Sequence, residues 1–105
     1  MREGFPAAYR DGTAGFYRRE FVVDERVLIP RPETEHLIEA ALEFLHGSGK
    51  EHVLDAGTGS GAIACTIAAE APTARVLATD VSEGALAVAA ANAERLGVSD
   101  RCRFM

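Results

Sequence analysis

The stretch Val53-Leu54-Asp55-Ala56-Gly57-Thr58-Gly59-Ser60-Gly61 constrains this chain more than any other, because an apolar run ends in an acid and passes directly into three alternating glycines. Glycine at these positions opens positive φ to the backbone and removes the Cβ that would hold a ligand off the main chain. The residues that follow, Ala62-Ile63-Ala64-Cys65-Thr66-Ile67-Ala68-Ala69, read as a helix, so the loop also turns a helix N-terminus, with its free N–H groups, toward whatever sits on it. Strand, glycine turn and helix in this order fit the mononucleotide-binding half of a doubly wound α/β fold.

The rest of the chain reads as a platform around that loop. Residues 1–15 form a leading segment, polar and punctuated by Gly4, Pro6 and Gly12, with Phe5 and Tyr9 as its aromatic anchors. Residues 16–105 form the main unit. The β-like runs Phe16-Tyr17, Phe21-Val22-Val23 and Val27-Leu28-Ile29 predict a β-hairpin whose turn lies at Asp24-Glu25-Arg26. Pro32 suits the first residue of a helix, with Glu33 and Glu35 in its first turn, an apolar face of Leu37, Ile38, Ala41, Leu42 and Leu45, and Gly47 and Gly49 to stop it.

His52 to Asp55 then reads as a buried parallel strand, Ser60 to Glu70 as a helix ended by Pro72, and Arg75 to Thr79 as a second strand closed by Asp80. Such a β-α-β unit has a right-handed crossover. Ser82 is placed to cap the next helix, which closes at Gly97, and Gly84 weakens its first turn. Arg101 to Met105 opens a third strand, in which the sequence stops. The expected architecture is therefore α/β: hairpin, helix, then β-α-β-α-β of a parallel sheet.

Sixteen acids against eleven bases, a formal charge of -5, leave no basic run to follow a phosphate backbone, so nucleic acid is disfavoured as the main partner. The adjacent Arg18 and Arg19 read as a solvated hairpin edge. Cys65 and Cys102 lie far apart in apolar surroundings and read as reduced, buried thiols. The first residues lack an apolar signal-like run, and no stretch approaches about 18 consecutive apolar residues, so a cytoplasmic location without membrane contact is expected. His36, His46 and His52 have no clustered partners, and no metal site is expected.

The ligand class follows from the acids. Asp80, roughly 20 positions beyond the loop at the carboxyl end of the second strand, is placed to accept hydrogen bonds from the hydroxyls of a bound ribose. A P-loop is excluded, since Gly-x-x-x-x-Gly-Lys-Ser/Thr is absent. A dinucleotide fingerprint tolerates Ala62 at its last position, so the glycines alone leave both kinds of cofactor open. Asp55 beside the loop favours a cofactor without a pyrophosphate, whose charge it would repel.

The fuller pattern, acid-x-Gly-x-Gly-x-Gly from Asp55 to Gly61, resembles motif I of the class I S-adenosylmethionine-dependent methyltransferases. The resemblance implies a Rossmann-like methyltransferase fold. It also implies S-adenosyl-L-methionine bound by Gly57, Thr58, Gly59, Ser60 and Gly61, with Asp55 supporting either the loop or the cofactor's ammonium group. Upstream, Phe16-Tyr17, Phe21-x-Val23 and Val27-Leu28-Ile29-Pro30-Arg31-Pro32-Glu33-Thr34-Glu35-x-Leu37-Ile38-Glu39 is similar to the segment before motif I in the HemK-type protein-(glutamine-N5) methyltransferases, which modify peptide-chain release factors. That family places the Pro32-Glu33-Thr34 region near the methionine end of the cofactor, and commonly has glycine where Arg18 stands here.

The implied activity is methyl transfer to the side-chain amide of a glutamine in a release factor, with that factor as protein partner. The family's amide-holding Asn-Pro-Pro-Tyr string does not occur in this chain, so no catalytic residue is assigned. The chain is expected to be a fragment that carries much of the cofactor platform and is inactive alone; in the resembling fold the strand ending at Asp55 is central, so without its next neighbour a long apolar edge is exposed, which predicts poor solubility or self-association. A non-catalytic remnant that binds S-adenosylmethionine or a partner, and a relative that methylates nucleic-acid amines, are the alternatives.

Overall fold

A computed structural model describes residues 7–48 and 52–105 of the 105-residue chain. Phe5, expected as an anchor, and Gly49, expected as a helix stop, lie outside the described residues. A short helix α1 (Ala7–Asp11) leads into the antiparallel strands β1 (Thr13–Phe16) and β2 (Arg19–Val22). Helix α2 (Thr34–Ser48) follows, then β3 (His52–Ala56), α3 (Ala62–Glu70), β4 (Arg75–Thr79), α4 (Glu83–Arg95) and β5 (Cys102–Phe104). The three later strands form a parallel sheet in the order β3-β4-β5, with Val53 beside Val76 and Val76 beside Cys102.

The hairpin forms one strand earlier than its apolar runs predict. Its turn is Tyr17-Arg18, which joins Phe16 opposite Arg19. Both turn residues take positive φ, 49° and 63°, as a two-residue type I′ connection requires. Two contacts make this conformation tolerable for residues with a Cβ. The backbone N–H of Tyr17 donates to Glu35 Oε2 at 2.8 Å, and Phe16 and Phe21 pack edge-on in the core with centroids 6.1 Å apart. Of the two arginines, Arg18 stands exposed at the turn, whereas Arg19 pairs with Glu70 of α3 at 2.6 Å.

Asp24 to Arg26 does turn the chain, but not between strands. Asp24 Oδ1 accepts from the Arg26 N–H at 2.8 Å, its carboxylate holds the Arg26 guanidinium, and its carbonyl accepts from Val27 N at 3.1 Å. Residues 27–30 then follow outside any regular element and without a strand partner among the described residues, tied by the Tyr9 hydroxyl donating to Val27 O at 2.8 Å. Gly84, in the first turn of α4, is open for this arm's sake: a Cβ there would stand 2.9 Å from Arg26 Cδ.

Helix α2 starts at Thr34, two residues later than Pro32 predicts, because Pro32 opens a tighter turn. Thr34, Glu35 and His36 each donate three residues back, at 3.1, 3.0 and 3.2 Å. The buried face is Ile38 with Ala41, Leu42 and Leu45. Leu37, expected with them, is 57% exposed, and Gly47 lies inside the helix rather than ending it.

The sheet is covered on one face. Val76, Ala78 and Cys102 are buried in the core with Ala64, Cys65, Ile67 and Ala68 of α3, while Leu54 is 66% and Leu77 36% exposed on alternate positions. The apolarity of these strands predicts burial on both sides, but burial needs a second layer, and none covers that face among the described residues. The C-terminus of α3 is closed from β5's approach: Arg101 Nη1 donates to Ala68 O, Ala71 O and Ala74 O at 2.7, 3.3 and 3.2 Å. Cys65 and Cys102 are buried free thiols, as expected.

The left-handed conformation of Arg18 (φ 63°) costs about 1 kcal/mol in a residue with a Cβ, partly offset by the greater freedom glycine has when unfolded. Arg18→Gly is expected to raise unfolding stability by about 0.5 kcal/mol in urea denaturation; equal or lower stability would contradict the turn geometry.

Candidate functional site

The glycine loop between β3 and α3 is held from three directions. From β4, Thr79 O accepts from Thr58 N at 2.8 Å. From beyond that strand, Asp80 Oδ2 accepts from Gly59 N at 3.0 Å while Oδ1 accepts from Ser82 N at 2.9 Å. From below, Asp55 Oδ2 accepts the Thr58 hydroxyl at 2.8 Å. The loop closes on itself where Gly61 N donates to Thr58 O at 2.9 Å, and Gly61 O accepts from Cys65 N at 2.8 Å to begin the helix. Gly57, Gly59 and Gly61 all take positive φ, 73°, 54° and 83°, where a Cβ would be strained.

The three glycines differ in what they face. A Cβ built on Gly57 or Gly59 meets no atom within 4 Å, whereas one on Gly61 would stand 2.9 Å from Ala89 Cβ of α4. The first two keep the backbone bare toward an open cleft, and the third lets the loop sit down on a helix. That cleft has a volume of about 820 Å³. One wall is the arm from Arg26 to Pro32 together with Thr34; the other is Gly57 to Ser60, Ile63, Asp80 and Ser82.

Six of the eight predicted site residues, Thr34, Gly57, Thr58, Gly59, Ser60 and Asp80, thus line one cleft. Asp55 and Gly61 do not; they stand behind the loop. The Asp55 carboxylate is buried and engaged by Thr58, a supporting position for the loop. Asp80 does more than its position suggested, since both of its oxygens already brace backbone N–H groups. A carboxylate has about four acceptor sites, so it retains capacity toward a ligand. Val27 to Arg31 line the cleft as well, and their one sequence signal is Pro30 and Pro32, which bias the residues before them away from helix. A second hollow of about 700 Å³ lies on the uncovered face of the sheet around Leu54, Leu77 and Arg103, with His52, Arg75, Asp100 and Arg101 also in its lining; the glycine loop does not reach it.

The two acids titrate in opposite directions. Burial raises the pKa of Asp55, and the nearby Asp80 charge adds to this, against the hydrogen bonds from Thr58 and the Ala64 N–H. The N–H groups of Ser82 and Gly59 lower that of Asp80. An ionised Asp80 in the lining of the cleft suits a ligand bringing hydroxyl or cationic groups rather than phosphate.

Because the folded-state pKa of Asp55 is raised, its contribution to stability is fully present below the unfolded value near 4 and is lost as pH rises through the folded one. Asp80 acts in the opposite sense and, apart from losing the repulsion of Asp55, does so in both the parent and an Asp55 variant. The unfolding free energy of Asp55→Asn relative to the parent is therefore expected to move in the variant's favour as pH rises above about 4; a difference independent of pH would overturn this account of Asp55.

Comparison with known proteins gives the cleft a context. A family described as a methyltransferase domain matches residues 53–105. The release factor glutamine methyltransferase of Chlorobaculum tepidum is 54% identical over 98% of this chain and 37% of its own length, and that of Bacillus subtilis 51% identical over 95% and 36%. The chain thus spans about a third of the length of these curated relatives. Among solved structures, an S-adenosylmethionine-dependent methyltransferase from Geobacter sulfurreducens, in complex with S-adenosyl-L-homocysteine, superposes with a TM-score of 0.56 at 36% identity over 71% of this chain and 28% of its own.

Proposed function

The chain belongs to the methyltransferase-domain family, and from that premise we propose that it is the cofactor-binding part of an S-adenosylmethionine-dependent methyltransferase acting on a glutamine side-chain amide of a peptide-chain release factor. The observation that carries the cofactor half of this reading is the pair Gly57 and Gly59, whose positive φ and empty Cβ positions face the cleft beside Asp80. The identity to relatives named release factor glutamine methyltransferase supports the acceptor half.

The residues present fit the cofactor. The bare loop backbone from Gly57 to Ser60 suits close approach of the methionine portion, with Thr34 on the facing wall. Asp80, fixed by two backbone N–H groups, offers its remaining acceptor sites to the ribose hydroxyls. Asp55 and Gly61 act from behind, the first by holding Thr58, the second by letting the loop rest on α4. Bound there, S-adenosylmethionine supplies an electrophilic methyl group on a sulfonium. The part of this chain is to bind and orient: the arm from Val27 to Pro32 narrows the cleft and limits water, and no residue of the chain is assigned to the acceptor amide. The formal charge of -5 favours a protein over a nucleic-acid acceptor, and a release factor as substrate puts the work in the cytoplasm. No helix among the described residues is long and apolar enough to cross a membrane.

Calorimetric titration of the chain with S-adenosyl-L-homocysteine and with NAD tests the cofactor. Saturable binding of the first alone is expected, weakened roughly tenfold or more by Asp80→Ala, the loss of about one charge-assisted hydrogen-bonding group. Binding of NAD instead, or of neither, would sink the reading.

The open side of β3 and the exposed Leu54 and Leu77 support a second proposal, self-association of the isolated chain through that strand. Light scattering is expected to show a mass that grows with concentration; a monodisperse monomer at every concentration would refute it.

A further inference from the structure

Asn92 lies on α4, nearly three turns beyond the Ser82 cap and far in sequence from the glycine loop and the hairpin. Nothing in its sequence setting separates it from a polar residue on an alanine-rich helix. In the structure it is completely buried, and its amide is spent outside its own helix. Oδ1 accepts from Val22 N at 2.7 Å, and Nδ2 donates to Val22 O at 2.9 Å and to Ser60 O at 2.8 Å. Both polar atoms of the Val22 backbone are thereby paired by one side chain, as a neighbouring strand would pair them.

The Ser60 bond acts on the loop. Ser60 O and Gly61 N belong to the same peptide plane. The oxygen is held by Asn92, and the N–H by Thr58 O at 2.9 Å, so the plane is fixed at both ends. One helical turn before Asn92 on the same face, Ala89 packs where a Gly61 Cβ would be, 2.9 Å from it. Helix α4 is therefore the seat of the loop through two neighbouring contacts, one polar and one steric. The Val22 bonds act on the opposite wall, because β2 runs directly into the arm that lines the cleft from Arg26 to Pro32.

We propose that Asn92 is a positioning residue for the cofactor cleft: it fixes the Ser60–Gly61 peptide and the hairpin wall to one helix, and so sets the separation between the bare glycine backbone and the arm that faces it. The proposal rests on the S-adenosylmethionine reading for its ligand, but the placement of the loop stands on geometry alone. Asn92 touches neither cofactor nor acceptor and takes no part in chemistry.

The test uses the whole 105-residue chain with Asn92→Leu, which keeps the branched outline and removes every side-chain hydrogen bond, and Asn92→Ser, which puts one short hydroxyl in place of the amide. Two quantities are read well below the thermal transition, with far-UV circular dichroism to verify folding. These are the dissociation constant for S-adenosyl-L-homocysteine and the exchange rate of the Gly61 amide in the free protein, measured against the β4 amides. Asn92→Leu is expected to weaken binding roughly tenfold or more and to speed Gly61 exchange by a similar factor relative to β4, with Asn92→Ser between it and the parent. A merely structural residue would lower the melting temperature while leaving affinity and relative exchange unchanged, and that result would overturn the proposal. Failure of both variants to fold would make Asn92 a determinant of folding at large and would overturn it too. If the parent does not bind S-adenosyl-L-homocysteine, the cofactor reading falls, while the exchange data still decide for or against Asn92.

Discussion

Glycines give a loop freedom, and the structure depends on the hydrogen bonds that take this freedom away. Three alternating glycines lose more conformational entropy on ordering than any other residues would, so a cradle built from them holds its shape only if its backbone groups are fixed from outside. Here Asp80 takes the N–H of Gly59, Thr79 takes that of Thr58, and Asp55 takes the Thr58 hydroxyl. The acids at the ends of β3 and β4 are thus parts of the loop, although they lie on either side of a whole helix in the chain. Parallel pairing of the two strands, Asp55 beside Ala78 and Ala56 beside Thr79, brings them to the same edge.

The facing wall is built on different terms. The arm from Val27 to Pro32 has no strand to pair with among the described residues, and its prolines could not donate to one. It keeps its place because its two ends are held. The Tyr9 hydroxyl and the Asp24 turn fix its start, and the tight turn that opens α2 fixes its end. Glu35 joins this wall to the hairpin turn through Tyr17 N, and Asn92 joins the hairpin to the glycine loop. The cleft is therefore framed by polar contacts that each span long stretches of sequence, and its width is a property of the assembled fold.

The sheet shows the reverse situation. Its inner face is closed by α3 and α4 around small side chains, with Ala64, Ala68, Ala78 and Ala93 fully buried, which lets helix and strand backbones approach closely. Its outer face presents Leu54 and Leu77, and β3 has no partner on one side among the described residues. Apolar strands of this kind carry the burial pattern of a two-sided layer.

Much was legible in the sequence because it is local. The β-α-β order, the strand ends at Asp55 and Asp80, the Ser82 cap, now seen accepting from Ala85 N at 3.1 Å, and the positive φ of the three glycines all follow from spacing and from what each side chain permits its own backbone. What only the tertiary structure decided depends on partners far away in the chain. The hairpin turned at Tyr17-Arg18 rather than Asp24 to Arg26 because Glu35 and the Phe16–Phe21 contact hold two residues in a conformation that their own propensities disfavour. Leu37 was exposed because the core lies slightly to one side of the helix face it marks. Asp55 and Gly61 stood behind the loop, Asp80 became its brace, and Asn92 came to join two walls of one cleft. Residue type and spacing determined where the chain can bend and what it can offer a ligand; which of those offers meet was set by packing, since one helix face can satisfy backbone groups that no nearby residue reaches.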